Sequence, residues 1–286
     1  MVNDTETNFL YLADTLPIKY PSFFKRLEAL LIRCEVSYGL LPGTKDIWAV
    51  DYMPIQVGLE KFVQFSYNPS YLQGPKYADL ITDSDKVCEQ IGINPVKSTI
   101  VLDGGNVIRC DDKVIMTERI FKDNPNYDKD LLITQLRELL EVEHIYLIPE
   151  QPYDFTGHAD GMVRFVDDNT ILVNDYQRES KRFQQAFDAA IRKTGLDTIK
   201  VPYNPYDNKG TYSAVGDYIN YLQMEDIAIV PTFGIAEDDA VVKLLESVFT
   251  NSKLVTIDAS DIAKDGGVLN CISWNIRIDG SLKLIE

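Results

Sequence analysis

Five chemistry-bearing residues recur along this chain at nearly equal intervals, and that spacing limits its possible folds more than any other feature. Asp51, Asp103, His158, Asp217 and Cys271 are separated by 52, 55, 59 and 54 residues. Each lies just before or inside the first strand of a predicted hairpin. The hairpins span 48–65, 107–116, 162–173, 220–230 and 276–284, with polar turns such as Asp111-Asp112, Asp167-Asp168-Asn169 and Asp279-Gly280. A period of this size marks a small supersecondary unit that buries its apolar face only by stacking on copies of itself.

The rest of the unit is legible between the hairpins. Apolar residues with a 3.6 period predict helices around Phe23, Leu27, Leu30 and Leu31, around Leu131, Leu132, Leu136 and Leu140, around Phe183, Phe187 and Ile191, and around Val241, Leu245 and Val248, with a weaker stripe from Leu80 to Ile91. A short apolar strand follows each, as in Ile100-Val101-Leu102, Ile145-Tyr146-Leu147-Ile148, Ile199-Lys200-Val201 and Leu254-Val255-Thr256-Ile257. The predicted fold is α/β: a five-bladed α/β propeller, a pseudo-five-fold repeat of ββαβ modules with helices outside and strand ends on one axis. A doubly wound sheet needs parallel strands joined by single helices, and the hairpins argue against it. No Pro-, Gly- or Ser-rich linker divides the sequence, so residues 1–286 are read as a single catalytic domain.

Composition narrows the function classes. The formal net charge is -16, a surface that repels nucleic acid and anionic lipid and suits a cationic ligand. Four scattered cysteines form no Cys-x-x-Cys pair, so neither a zinc ribbon nor a disulfide framework is expected. Residues 1–8 lack the basic start and apolar run of a signal peptide, and no stretch reaches the roughly 20 apolar residues of a membrane span. A cytoplasmic protein with no membrane partner is the expectation.

His158 stands in Thr156-Gly157-His158-Ala159-Asp160-Gly161, where flanking glycines let a ligand approach. If this segment is a strand, His158 and Asp160 face one side. A lone glycine-flanked histidine is more often a turn residue, and a lone free cysteine more often core. Cys271 differs from Cys34, Cys88 and Cys110 in following Gly266-Gly267 and in sharing the module register with His158. Together a cysteine, a histidine and acidic strand ends suit cleavage of a guanidinium. Carboxylates grip the planar cation, a thiolate attacks its carbon, and a histidine protonates the departing nitrogen. A zinc site from His158, Asp160, Asp103 and Cys271 is an alternative use of the same donors.

Four segments resemble the agmatine deiminase and bacterial peptidylarginine deiminase family of the guanidino-group-modifying (pentein) superfamily. Trp48-Ala49-Val50-Asp51-Tyr52-Met53-Pro54 is similar to its Trp-x-Arg-Asp-x-Gly-Pro, and Leu102-Asp103-Gly104-Gly105-Asn106 to its Glu-Gly-Gly-Asn. Gly157-His158-Ala159-Asp160 resembles Gly-His-x-Asp, and Gly266-Gly267-Val268-Leu269-Asn270-Cys271 resembles Gly-Gly-x-x-His-Cys. The resemblance implies Cys271 as nucleophile, His158 as acid/base and Asp103 beside the histidine. It implies Asp51 and Asp160 on the guanidinium, Trp48 and Asn106 as further substrate-binding residues, and no metal or organic cofactor. Departures are Val50 for arginine, Met53 for glycine, Asp103 for the longer Glu, Asn270 for histidine, and no Trp in residues 8–16. The partner expected is a small cationic guanidino compound, agmatine first, with a homodimer left open. Amidino transfer, dimethylarginine-type hydrolysis and a non-catalytic binding propeller are the alternatives. Trp274, Tyr212 and Asp217 are candidates for holding the substrate tail.

Overall fold

The computed structural model describes residues 1–204 and 213–279. Among them lie five three-stranded sheets of one pattern. Strand β1 (Phe9–Ala13) leads through helix Pro21–Arg33 to β2 (Tyr38–Leu41), which lies parallel to it. Next come β3 (Ile55–Gly58), β4 (Lys61–Ser66) and β5 (Val96–Val101), then β6 (Ile108–Cys110), β7 (Lys113–Thr117) and β8 (His144–Ile148). The third complete unit is β9 (Val163–Phe165), β10 (Thr170–Asn174) and β11 (Asp197–Val201). The fourth is β12 (Leu222–Met224), β13 (Ile227–Thr232) and β14 (Lys253–Asp258). In each, an antiparallel hairpin is followed by a helix and a strand parallel to the hairpin's second strand.

The fifth sheet corrects the expected hairpin over 276–284. Strand β15 (Ser273–Ile276) pairs antiparallel with β1, placing Tyr11 against Trp274. The two ends of the sequence therefore share one sheet, with β1 in its middle. Residues 280–284 of the expected hairpin lie outside the described residues.

Local chemistry explains the helices. Asp128 accepts from the amides of Asp130 and Leu131 at the start of Lys129–Leu140, and Ser180 accepts from Phe183 at the start of Lys181–Thr194. Such caps satisfy donors that the first turn leaves unpaired, each contributing about 1 kcal/mol. Gly195 ends the latter helix at φ 70°, a conformation open to glycine. Leu132, Leu136 and Leu140 are buried, whereas Leu131 of the same expected stripe is half exposed. Burying one leucine contributes about 1.5–3 kcal/mol. None of the described helices is long and apolar enough to cross a membrane.

Two local expectations fail. Trp48 to Asp51 is no strand end: Ala49–Tyr52 is a helical turn, closed before Pro54. His158 and Asp160 lie in a turn ahead of β9, not in a strand, so their common orientation comes from the turn's own geometry.

Candidate active site

The site is assembled from turns that precede the first hairpin strands. The Gly104–Asn106 turn packs so tightly on Ala49–Tyr52 that a Cβ on Gly104 would stand 2.0 Å from the Val50 carbonyl oxygen. Only glycine permits that approach. A Cβ on Gly105 would fall 2.7 Å from both Asp51 Oδ1 and His158 Nδ1. The Gly105 amide instead donates to Asp51 Oδ1 at 3.1 Å, and its carbonyl accepts from the Asp160 amide at 3.0 Å. Two glycines thus bring three turns of distant sequence together.

His158 is buried between two carboxylates, with Nε2 3.0 Å from Asp103 Oδ2 and Nδ1 3.5 Å from Asp51 Oδ1. Although Asp103 is short, its reach is sufficient. Cys271 lies in the turn before β15. Asn220 holds it from both sides, its Oδ1 accepting from the Cys271 amide and its Nδ2 donating to Sγ, each at 3.2 Å. The thiol faces Asp160 Oδ2 at 3.4 Å, and the same oxygen accepts from Asn270 Nδ2 at 2.9 Å. Arg164 Nη1 donates to Asn270 Oδ1 at 2.7 Å, which fixes that amide's orientation.

Cys271, His158, Asp51, Asp160, Trp48 and Asp217 line one cavity of about 260 Å³. A Cβ on Gly267 would strike the Trp48 ring at 2.5 Å, so the Gly266-Gly267 turn exists to let that ring lie beside Cys271. Apart from His158, Lys19 is the only basic side chain on the wall among the described residues, against Asp46, Asp51, Asp154, Asp160, Glu179, Asp217 and Asp265. Asp103 lies behind the histidine rather than on the cavity. Asn106, expected on the substrate, is also off it: its Oδ1 accepts from the Thr117 amide at 2.8 Å and so supports the turn. Trp274 is likewise away from the cavity, its indole donating to the Pro54 carbonyl. Tyr212 lies outside the described residues.

The electrostatics follow from burial and crowding. Burial raises the Cys271 thiol well above its ordinary pKa, and the charges of Asp160 and Asp51 add to this. For His158, burial alone favours the neutral ring. Attraction by Asp51 and the hydrogen bond to Asp103 outweigh it, and the pKa rises to about 10. Asp51 is pushed up by burial, against the pull of His158. Asp46 rises to about 7, again through burial. At neutral pH the Cys271 thiol is thus protonated beside Asp160, and the His158 ring carries its extra proton between Asp51 and Asp103.

The four proposed zinc donors do not form a ligand cluster. Among the described residues, the only group of three such side chains with ligand atoms within 4.8 Å of one another is Asp112, Glu143 and His144, none of which lines the cavity. Sequence reasoning missed Asn220, Arg164 and Tyr71. None carries a local signal, because each meets the site through partners 32 to 106 positions away.

The family model of the Porphyromonas-type peptidyl-arginine deiminases matches residues 24–276. The chain belongs to that family. A relative from Mycoplasma mycoides, provisionally named an agmatine deiminase, is 26% identical over 220 residues, covering 66% of this chain. The chain spans 60% of that relative's length. Agmatine deiminase from C. jejuni superposes with a TM-score of 0.79 at 20% identity, covering 98% of this chain and 96% of the other. That of Enterococcus faecalis gives 0.76 at 18%, with 96% and 94% covered. DDAH from Pseudomonas aeruginosa gives 0.59 at 12%, with 94% and 99% covered. These likenesses show that the mixed α/β fold is shared at low sequence identity.

Proposed function

We propose that this chain is a cysteine-dependent hydrolase that cleaves a guanidino C–N bond, releasing ammonia and leaving a ureido product. One observation carries the reading: a thiol, an imidazole and two buried carboxylates meet on a single cavity rich in negative charge. Asp51 and Asp160 grip the guanidinium in its plane, with Trp48 as a wall. Cation binding offsets the carboxylate charge, so the Cys271 proton departs to solvent and the thiolate attacks the central carbon. An S–C bond forms. The C–N bond breaks as His158, oriented by Asp103, protonates the leaving nitrogen. Water then gives a proton to His158 and its oxygen to carbon, and the S–C bond breaks to return the thiol.

Agmatine is the first substrate to assay, in keeping with the names of the relatives; free, methylated and peptidyl arginine follow. We further read the five modules as blades of a closed propeller forming one domain over residues 1–286. The test is a guanidine panel scored for ureido product and ammonia, with Cys271→Ala as control. Product from at least one guanidine, lost in the variant, is expected. No product from any member, or equal product from Cys271→Ala, overturns the reading.

A further inference from the structure

We propose that Tyr71 is a positioning residue for the catalytic histidine, acting through a hydroxyl that shares the Asp103 carboxylate oxygen with His158. This rests on the hydrolase reading of the same site. The Tyr71 hydroxyl donates to Asp103 Oδ2 at 2.9 Å, and that oxygen also faces His158 Nε2 at 3.0 Å. The other oxygen, Oδ1, is buried without a partner. One lone-pair-bearing atom therefore serves two donors while its twin serves none. An acceptor shared in this way gives each donor a weaker bond than it would give one alone.

The ring is also aimed. Its centroid stands 6.1 Å from that of the imidazole, edge to face at 66°, and 5.4 Å from Phe155 at 90°. Its neighbours Ser70 and Phe155 are tied together by Arg119. Arg119 donates through Nη2 to Ser70 Oγ and through Nη1 to the Phe155 carbonyl, while Ser70 and Arg119 both bond Asp123. The Arg119 guanidinium lies 5.9 Å from the Tyr71 ring. Such a clamp fixes Tyr71 against two segments at once, which a residue serving only to cover the cavity would not require. The phenol stays neutral, since burial and Asp103 both disfavour its anion. It is thus a donor throughout the working range. Its consequence for chemistry is direct: by drawing on Asp103, Tyr71 weakens the carboxylate's stabilisation of the imidazolium through Nε2, so the proton on Nδ1, the nitrogen facing Asp51, is released more readily to the leaving nitrogen.

Tyr71→Phe tests this, because it removes the hydroxyl and keeps the ring. Two readouts are needed. The chain has only two histidines, so the His158 Nε2–H proton resonance is assignable by comparison with a His144 variant. In Tyr71→Phe that proton should move downfield, as the His158–Asp103 bond tightens. With the best guanidine of the panel, kcat should fall by about tenfold with KM within about twofold, and the basic limb of the kcat profile should move to higher pH. An unmoved resonance, or a loss confined to KM, overturns the proposal. If the wild-type protein turns over no guanidine, the functional reading falls, while the resonance still decides the role of Tyr71.

Discussion

Cys271 is held where its own ionisation is opposed. Burial and two carboxylates keep the thiol protonated, against the weaker opposing pull of hydrogen bonds from the Val268 backbone and Asn220. The sign of the linkage follows. A group whose pKa is raised gives up its proton when a cation enters, so guanidinium binding expels protons and strengthens as pH rises. The expected outcome is a rise in thiolate ultraviolet absorbance when guanidinium is added to the wild-type protein at neutral pH, and none in Cys271→Ser. A strong thiolate signal in the free protein would sink this account. Cys271, His158 and Asp51 were legible as candidates, because their types and shared register are unusual in combination, and the structure brings them onto one cavity. Tyr71, Asn220 and Arg164 were not, since a tyrosine, an asparagine or an arginine gains meaning only from what it touches.

At the scale of the element, the turns do more than the strands and helices. Helices were readable from their period because a buried stripe needs Leu132, Leu136 and Leu140 on one side. The turn Ala49–Tyr52 was misread because an apolar run buried on all sides has no period to distinguish strand from helix. What the element level adds is the pair of glycines that let turns interlock. Gly105→Ala places a methyl against Asp51 and His158, where neither can yield without leaving its partner. Turnover should fall by on the order of 100-fold, since a displacement of about 1 Å costs that much in a positioned site. Melting temperature should fall as well, and guanidinium should no longer raise it. A variant with wild-type turnover would mean that the glycine serves only the turn.

At the scale of the whole molecule, the five-unit repeat was visible in the spacing of a few residues, but its manner of joining was not. Phe9–Ala13 carries no turn signal that points to Ser273–Ile276, and the pairing spans almost the full chain. Asp4 adds to that junction by meeting Arg164 Nη2 at 2.6 Å, and Arg164 in turn orients Asn270 beside the cysteine. Removing residues 1–13 takes out a middle strand and leaves buried Arg164 without its carboxylate. Denaturant unfolding should lose its single cooperative transition, with a flattened slope. A truncated protein that unfolds as sharply as the full one would show that the sheets hold without this junction.

The shared sheet of β1 and β15 also sets an order of events during synthesis. Phe9–Ala13 leaves the ribosome early and must wait, one edge unpaired, for a segment made more than 250 residues later. Cys271 emerges only two residues ahead of that segment. Arrival of the proposed nucleophile and locking of the fold are therefore nearly simultaneous, and on the hydrolase reading every shorter nascent chain is chemically silent.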